Sequence, residues 1–392
     1  MSAATLPEHV DVAVVGAGIV GLAHAWEAHR RGATVLVVDA AARSHGASIR
    51  NFGHACITPQ TGPAAVFAAE ARTRWLDIAA RAGFTARETG THVVARRDEE
   101  LAVLEEFADA RDDVTLMTAD AFADAVPVAP GPVRGGAFLP ADLQVDPRAA
   151  VDAIVTFLAD QGVRFAWRTA ATGAATGVLT TTRGEVGTGT IVVATNHDLD
   201  RLFPRIAEDA GLVRCRLHML RVAPALRMPL VAPLLTGWSL LRYSGFAGTA
   251  AAPALRARLA TDLPAGVALD LNQMLTQHVD GSLIIGDTHE RGVDATPFES
   301  ERGFDLLLDE TRTLLGVDDV PVIERWQGVY ASSPDREFVI DEPEPGVHVV
   351  SVASGIGMTT GLGIAPHTLD GTAADVAAGR TLTTTNPATE IR

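Results

Sequence analysis

The run Val10-Asp11-Val12-Ala13-Val14-Val15-Gly16-Ala17-Gly18-Ile19-Val20-Gly21 decides the fold of this 392-residue chain. Residues 10–15 are almost continuously apolar, the pattern of a strand buried on both faces of a parallel sheet. Glycines follow at 16, 18 and 21, and Leu22-Ala23-His24-Ala25-Trp26-Glu27-Ala28 continues as a helix until Gly32 stops it. Residues 34–38 form a second strand ending at Asp39. A Gly-x-Gly-x-x-Gly turn between strand and helix, with an acid about twenty residues on, is the dinucleotide fingerprint in its confirming context. Gly16 permits the tight turn, Gly18 lets backbone approach a pyrophosphate, and Gly21 lets the helix pack closely on the strand. The helix start at Ile19 and Val20 offers free N–H groups and a positive dipole end to phosphates. Asp39, followed by Ala40, is placed to accept from a ribose diol.

Outward from that unit, a polar loop covers residues 43–62 and helical periodicity residues 64–81. A strand is expected over 91–96, a helix over 99–110 and a loop at Ala129-Pro130-Gly131-Pro132. Asp146 reads as an N-cap ahead of Pro147, and Gly162 ends that helix. Short strands follow over 163–167, 177–182 and 185–190, and residues 191–194 form a buried parallel-type strand leading to Thr195. From Cys215 the alternation is antiparallel in type, over 215–222, 267–271 and 282–286, with an amphipathic helix over 298–315. The final strand, 347–352, leads into Ser354-Gly355-Ile356-Gly357-Met358-Thr359-Thr360-Gly361 and a helix through 378; the tail from Thr381 reads as frayed. The expected class is α/β. A Rossmann-like dinucleotide-binding domain with a parallel sheet takes residues 1–84, 140–200 and 327–392. A substrate domain with a mainly antiparallel sheet takes 85–139 and 201–326.

The second glycine cluster separates the candidate cofactors. A nicotinamide dinucleotide needs no such distal turn, whereas a flavin laid across the molecule needs a cradle far from its adenine. Gly355, Gly357, Gly361 and Gly363, with Ile356, Met358 and Thr359 in the same turn, could bring N–H groups and a helix start to the flavin C2 carbonyl. Negative charge grows there on reduction. FAD is therefore the expected cofactor.

Composition narrows the chemistry further. The net charge of -16 argues against nucleic-acid and anionic-membrane partners. All 32 basic residues counted as Lys+Arg are arginine. Without lysine there is no Schiff-base or pyridoxal-phosphate catalysis and no P-loop lysine. Cys56 and Cys215 make no disulfide framework, no Cys/His/acid group has metal spacing, and no metal is expected. No basic leader opens the chain and no stretch offers about 18 uninterrupted apolar residues. A cytoplasmic protein without membrane insertion is expected.

The ordered set of pieces resembles the glycine/D-amino-acid oxidase and sarcosine oxidase superfamily of FAD-dependent oxidoreductases. The matching pieces are the opening turn, Gly46-Ala47-Ser48, Gln144-Val145-Asp146-Pro147, the strand 191–195, Asp280-Gly281-Ser282-Leu283-Ile284-Ile285-Gly286-Asp287, Pro334-Asp335-x-x-Phe338, and the closing glycine turn. The resemblance implies oxidation of a C–N bond by hydride transfer to flavin N5 from a neutral amine, then imine hydrolysis. It places Ser48, Asn51 and Phe52 near a non-covalent FAD, with the substrate between flavin and antiparallel sheet. His45 is a weaker alternative as a covalent attachment point.

Two departures carry information. Members acting on amino acids usually hold the carboxylate with an Arg in a Gly-x-Arg-Pro segment; here Tyr330 stands in Trp326-Gln327-Gly328-Val329-Tyr330-Ala331. The sarcosine-oxidising branch has basic residues near its C-terminal flavin loop, where this chain offers Met358 and Thr359. The lysine suspected of activating O₂ in some relatives is also missing, so O₂ or another acceptor remains open. The segment Gly46-Ala47-Ser48-Ile49-Arg50-Asn51-Phe52-Gly53-His54 resembles a subgroup associated with bacterial phosphonate breakdown. That implies oxidation of 2-aminoethylphosphonate or its N-methyl form to phosphonoacetaldehyde. Arg50 is the expected anion clamp, with Asn51, Tyr243, Trp326 and His289 near the substrate. His289 belongs to Asp287-Thr288-His289, a strand end aimed at the domain interface. His54 or His218 is expected to remove the ammonium proton, and Tyr330 to orient the substrate. The alternatives are a sarcosine, glycine or D-amino-acid oxidase or dehydrogenase, its carboxylate on Arg50 or Arg242, and a catalytically idle FAD-binding subunit.

Overall fold

A computed structural model of the chain describes residues 6–129 and 131–380. Strand His9–Val15 pairs in parallel with Val35–Asp39 on one side and Gly184–Val193 on the other. Val347–Val352 joins the far side of Gly184–Val193, again in parallel, and Arg164–Trp167 extends the opposite end. Antiparallel strands Ala171–Ala175, Val178–Thr181 and Phe338–Glu344 complete an eight-stranded sheet. Helices Ile19–Arg30, Gly62–Ala82, Pro147–Asp160 and Gly357–Leu369 pack on one face, burying Leu22, Trp26, Phe67, Trp75, Ile154 and Leu362.

A second, nine-stranded sheet is mostly antiparallel. Its central strand, Val213–Val222, pairs with Val322–Ser332 along its whole length and with Leu283–Gly286 and Glu290–Gly292 on the other edge. Met274–Gln277, Leu234–Leu235, Thr91–Ala95, Gly135–Leu139 and Thr115–Thr118 continue it. A third sheet joins His54–Ala55, Leu143–Val145 and Ala86–Arg87. Among the described residues no helix is long and apolar enough to cross a membrane.

The fingerprint glycines are required by space. Gly16 has φ +104°, and a Cβ there would stand 2.5 Å from the Ala194 carbonyl oxygen. A Cβ on Gly21 would lie 1.9 Å from the Gly16 carbonyl oxygen, so helix and turn could not close.

Several local expectations are corrected. Residues 267–271 are not a strand: Pro264–Ala268 is a short helix and the chain turns after it, while the strand forms at Met274–Gln277. The pieces 185–190 and 191–194 are one strand, Gly184–Val193. The last helix is broken, Gly357–Leu369 then Ala373–Ala377, with Gly371 at φ +71° between them. Strand Val322–Ser332 runs through the boundary expected between 326 and 327. The Thr-rich tail lies outside the described residues.

His24, on helix Ile19–Arg30, is fully buried with Nδ1 2.7 Å from the Val20 carbonyl. Burial holds its pKa down at about 4. The unfolded imidazole titrates near 6.5, so the unfolded chain binds the extra proton between those values. Stability is full above about pH 6.5 and falls toward pH 4, by about 1.4 kcal/mol per pH unit from this one group. Urea unfolding midpoints across that range should show the loss, and His24→Gln should reduce the pH slope by about one proton.

Candidate active site

A cavity, partly open to solvent, lies where the two large sheets meet. Gly18, Ile19 and Val20 line it from the first turn, Ala194 from the end of Gly184–Val193, and Ser48, Asn51 and Phe52 from the loop after Asp39. Gly355, Ile356, Gly357, Met358 and Thr359 line it from the far end of the chain. Two helices therefore start at the cavity, at Ile19 and at Gly357, and neither has a side-chain cap from its own N-cap residue. Ser48 Oγ accepts from Ile19 N at 2.8 Å. The second turn is tied down where Trp75 Nε1 donates to the Met358 carbonyl (2.8 Å) and Cys56 N to Thr359 Oγ1 (3.1 Å).

Gly16, Gly21, Asp39, Ala40 and Thr195 do not line the cavity itself; they shape or flank its first turn. The Asp39 carboxylate accepts from Ala17 N and Ala41 N, both at 2.8 Å, and so holds the loop ends together. Thr195 Oγ1 is buried without a hydrogen-bond partner. Asn51 braces its own loop, donating to the Ala47 carbonyl and accepting from Gly53 N. His45 is exposed and away from the cavity.

The antiparallel side contributes Leu217, Arg242, Tyr243, Asn272, Met274, Asp287 and Tyr330. Arg242 Nη2 donates to Tyr330 Oη at 2.6 Å, and among the described residues no carboxylate pairs with this guanidinium. Arg50 also lines the cavity; its one hydrogen bond is to the Gln327 carbonyl at 3.3 Å, and no carboxylate pairs with it either. Burial pushes the Tyr330 and Tyr243 hydroxyls well above the usual phenol range, so both stay neutral. Asp287 is buried, takes the Asn272 Nδ2 amide on Oδ1 at 3.0 Å, and is pushed up to about 7 by burial, against the opposing pull of Arg242.

The histidines divide. His54 lines the cavity, with Nε2 2.7 Å from Thr91 Oγ1 and 3.4 Å from Asp142 Oδ2. It lies with Cys56 and Asp142 in a buried group whose ligand atoms are all within 4.8 Å, a proximity that sequence spacing did not reveal. His218 does not face the cavity. Its ring packs edge-on against Phe304 and contacts Thr288 Oγ1, the Ser300 carbonyl and Glu299, on the opposite face of the strand from cavity-lining Leu217. His289 and Trp326 stand behind the lining: His289 lies 3.7 Å from Asp287, and Trp326 Nε1 donates to the Arg50 carbonyl. Asn272, Met274 and Glu337 were missed altogether, since nothing in their spacing marks them.

A family model described as FAD dependent oxidoreductase (DAO) matches residues 11–370. No curated protein sequence matches the chain. Among solved structures, L-proline dehydrogenase from P. horikoshii is similar at TM-score 0.75 and 19% identity, covering 96% of this chain and 95% of that one. Glycine oxidase from Bacillus cereus is similar at TM-score 0.74 and 16% identity, covering 92% and 95%. Iminodiacetate oxidase from Chelativorans sp. gives 0.70 and 17%, covering 94% and 96%. At such identities these likenesses establish the fold.

The residues present fit FAD. Two helix starts without a cap from their own N-cap residues face one cavity, and positions 16 and 21 of the first turn have no room for a side chain. Both cysteines are buried and do not line the cavity, and neither does exposed His45. Acid precipitation of the purified protein should therefore release all its flavin to the supernatant; a yellow pellet would show a covalent link. The chain belongs to the DAO family of FAD-dependent oxidoreductases.

Proposed function

We propose that this protein oxidises the C–N bond of a small amine carrying an anionic head group, and that the head group is a phosphonate. The observation that carries the reading is the pair of guanidinium groups, Arg242 and Arg50, that line one cavity without a carboxylate partner among the described residues. A half-buried guanidinium without a carboxylate partner leaves its donors to be satisfied from outside the protein, so a cavity lined by two is matched to an anion that arrives with the ligand. Planar five-donor guanidiniums suit bidentate capture of phosphonate or carboxylate oxygens. One such group satisfies a carboxylate; a head group bearing close to two negative charges uses both. The segment 46–54, with its resemblance to the phosphonate-associated subgroup, supports the same choice.

In this reading Arg242 grips the head group. Tyr330 Oη accepts from Arg242 and has its own hydrogen left to donate to a ligand oxygen. Bound FAD supplies the two-electron acceptor, flavin N5, for the hydride from the carbon beside nitrogen. Leu217, Met274 and Phe52 give that carbon apolar walls and exclude water during transfer. Solvent then hydrolyses the imine, giving phosphonoacetaldehyde and ammonia or methylamine. The parallel-sheet part of the chain holds the cofactor and the antiparallel sheet the substrate. A second reading, a carboxylate-bearing amine such as sarcosine or glycine, is favoured by the Arg242–Tyr330 pair, which alone suffices for one carboxylate. Glycine oxidase and iminodiacetate oxidase, among the similar structures, support it too.

Anaerobic mixing with 2-aminoethylphosphonate, its N-methyl derivative, sarcosine, glycine and D-alanine separates these readings by which amines bleach the flavin. Phosphonate amines should reduce it fastest. Arg242→Met and Arg50→Met should each lower kred/Kd for them by roughly 10- to 150-fold, the loss of a hydrogen bond to a charged group. Reduction by sarcosine alone, insensitive to Arg50→Met, would establish the carboxylate reading instead. No reduction by any amine would point to an idle subunit.

A further inference from the structure

We infer that Asp287 is the group that receives the substrate's ammonium nitrogen and takes its proton, with His289 behind it as a positioning residue. The inference rests on the reading of the ligand as an anionic amine and adds the cationic half of its site. Such a ligand enters as a zwitterion, so a cavity that clamps its anion with Arg242 needs a second group of opposite charge. Only Asp287 and Glu337 among the cavity-lining residues carry a carboxylate. Glu337 precedes strand Phe338–Glu344 of the parallel-type sheet, on the cofactor side. Asp287 follows strand Leu283–Gly286 on the same side as Arg242 and Tyr330.

The surroundings of Asp287 are built for a proton. Asn272 Nδ2 donates to Oδ1 and the two backbones exchange hydrogen bonds, which fixes the carboxyl plane. Oδ2 is 3.7 Å from His289 Nε2. His289 Nδ1 lies 2.8 Å from the Asp270 carbonyl, and because a carbonyl can only accept, the ring proton sits on Nδ1. Nε2 therefore presents a lone pair, buried and without a hydrogen-bond partner, toward the carboxyl. Burial keeps this imidazole neutral, its pKa far below the usual range. A lone pair facing Oδ2 gives a proton on that oxygen a favourable place to lie. The charged and titratable groups near Asp287 are Arg242, Asp270, His289, Tyr243, Tyr330 and Cys215; Arg242 and the Asn272 hydrogen bond favour its ionised form, while burial and Asp270 oppose it.

The step balances without a further reactant. The ammonium N–H bond breaks, an O–H bond forms on Asp287, and the freed nitrogen lone pair supports loss of hydride from the adjacent carbon. His54, the other cavity-lining candidate, is already engaged by Thr91 and faces Asp142. His218 faces away.

Two ligand pairs test the inference on the FAD-loaded enzyme by flavin spectral perturbation: 2-aminoethylphosphonate against ethylphosphonate, and glycine against acetate. Whichever pair binds reports the head group; the difference within that pair reports Asp287. Wild type should prefer the aminated ligand, and Asp287→Asn should cut that preference at least 10-fold while the amine-free ligand binds as well or better. Anaerobic kred/Kd for wild type should rise with pH through about 7, as Asp287 ionises. In Asp287→Asn that limb should vanish, leaving a rise toward the amine's own pKa near 10 and a loss of about 100-fold or more at pH 8. An unchanged preference, or equal weakening of both members of a pair, would overturn the assignment. If no amine reduced the flavin, the oxidase reading would fail, while the binding difference would still decide whether Asp287 holds the nitrogen.

Discussion

The rest of the molecule depends on the register of three parallel strands. In His9–Val15, Gly184–Val193 and Val347–Val352, Val15 lies beside Val193 and Val193 beside Val349. All three run the same way, so their carboxyl ends reach one edge together. The first and last are each followed by a glycine turn and a helix, and two helix starts more than 330 residues apart in the chain thus open on one crevice. Ligands of open α/β sheets bind outside the carboxyl ends of the strands for this reason. Gly16 lets the first turn lie against Ala194 at the end of the neighbouring strand, and Gly21 lets the helix close on that turn.

This half of the site was legible because its constraints are local. A buried strand, a turn without side chains and a helix start follow one another within a dozen residues, and each leaves its mark on composition. The antiparallel half was read less well. Alternation in Cys215-Arg216-Leu217-His218-Met219 shows that Leu217 and His218 face opposite ways, but not which of them faces the cavity. One step of register exchanges the two faces, and the choice is made by helix Glu301–Leu315, whose Gly303 and Phe304 pack on the His218 ring. Arg242 and Asn272 stand outside regular strands and carry no periodicity. Their meaning lies in what they are near, and that is settled by pairings across the sheet.

The charge pattern of the cavity is unusual for so acidic a chain. Arg74 with Glu27 and Arg97 with Glu100, for example, meet a carboxylate. Arg242 instead meets a neutral phenol. An arginine kept from acids in a protein with 48 acidic residues and a net charge of -16 is a selective arrangement. The guanidinium arrives from a segment outside the strands, beside the Gly355 turn. A Cβ on Gly355 would stand 3.0 Å from Tyr330 Cζ and 3.2 Å from Arg242 Nη2, so the clamp abuts the turn that lines the cofactor cavity.

In the proposed function that contact would link specificity to catalysis, because an anion clamp set directly against the cofactor turn would hold the head group at a fixed offset from the reacting atoms. Separating the positive and negative partners, Arg242 and Asp287, also keeps them from neutralising each other, since no direct ion pair joins them. Had they paired, each would have had to be freed before a zwitterion could bind, at a cost of several kcal/mol for a buried pair. Arg242 is held instead by Tyr330, and Asp287 by Asn272. Both opposite charges are thus supported by neutral neighbours, which preorganises the cavity for a ligand carrying the complementary charges.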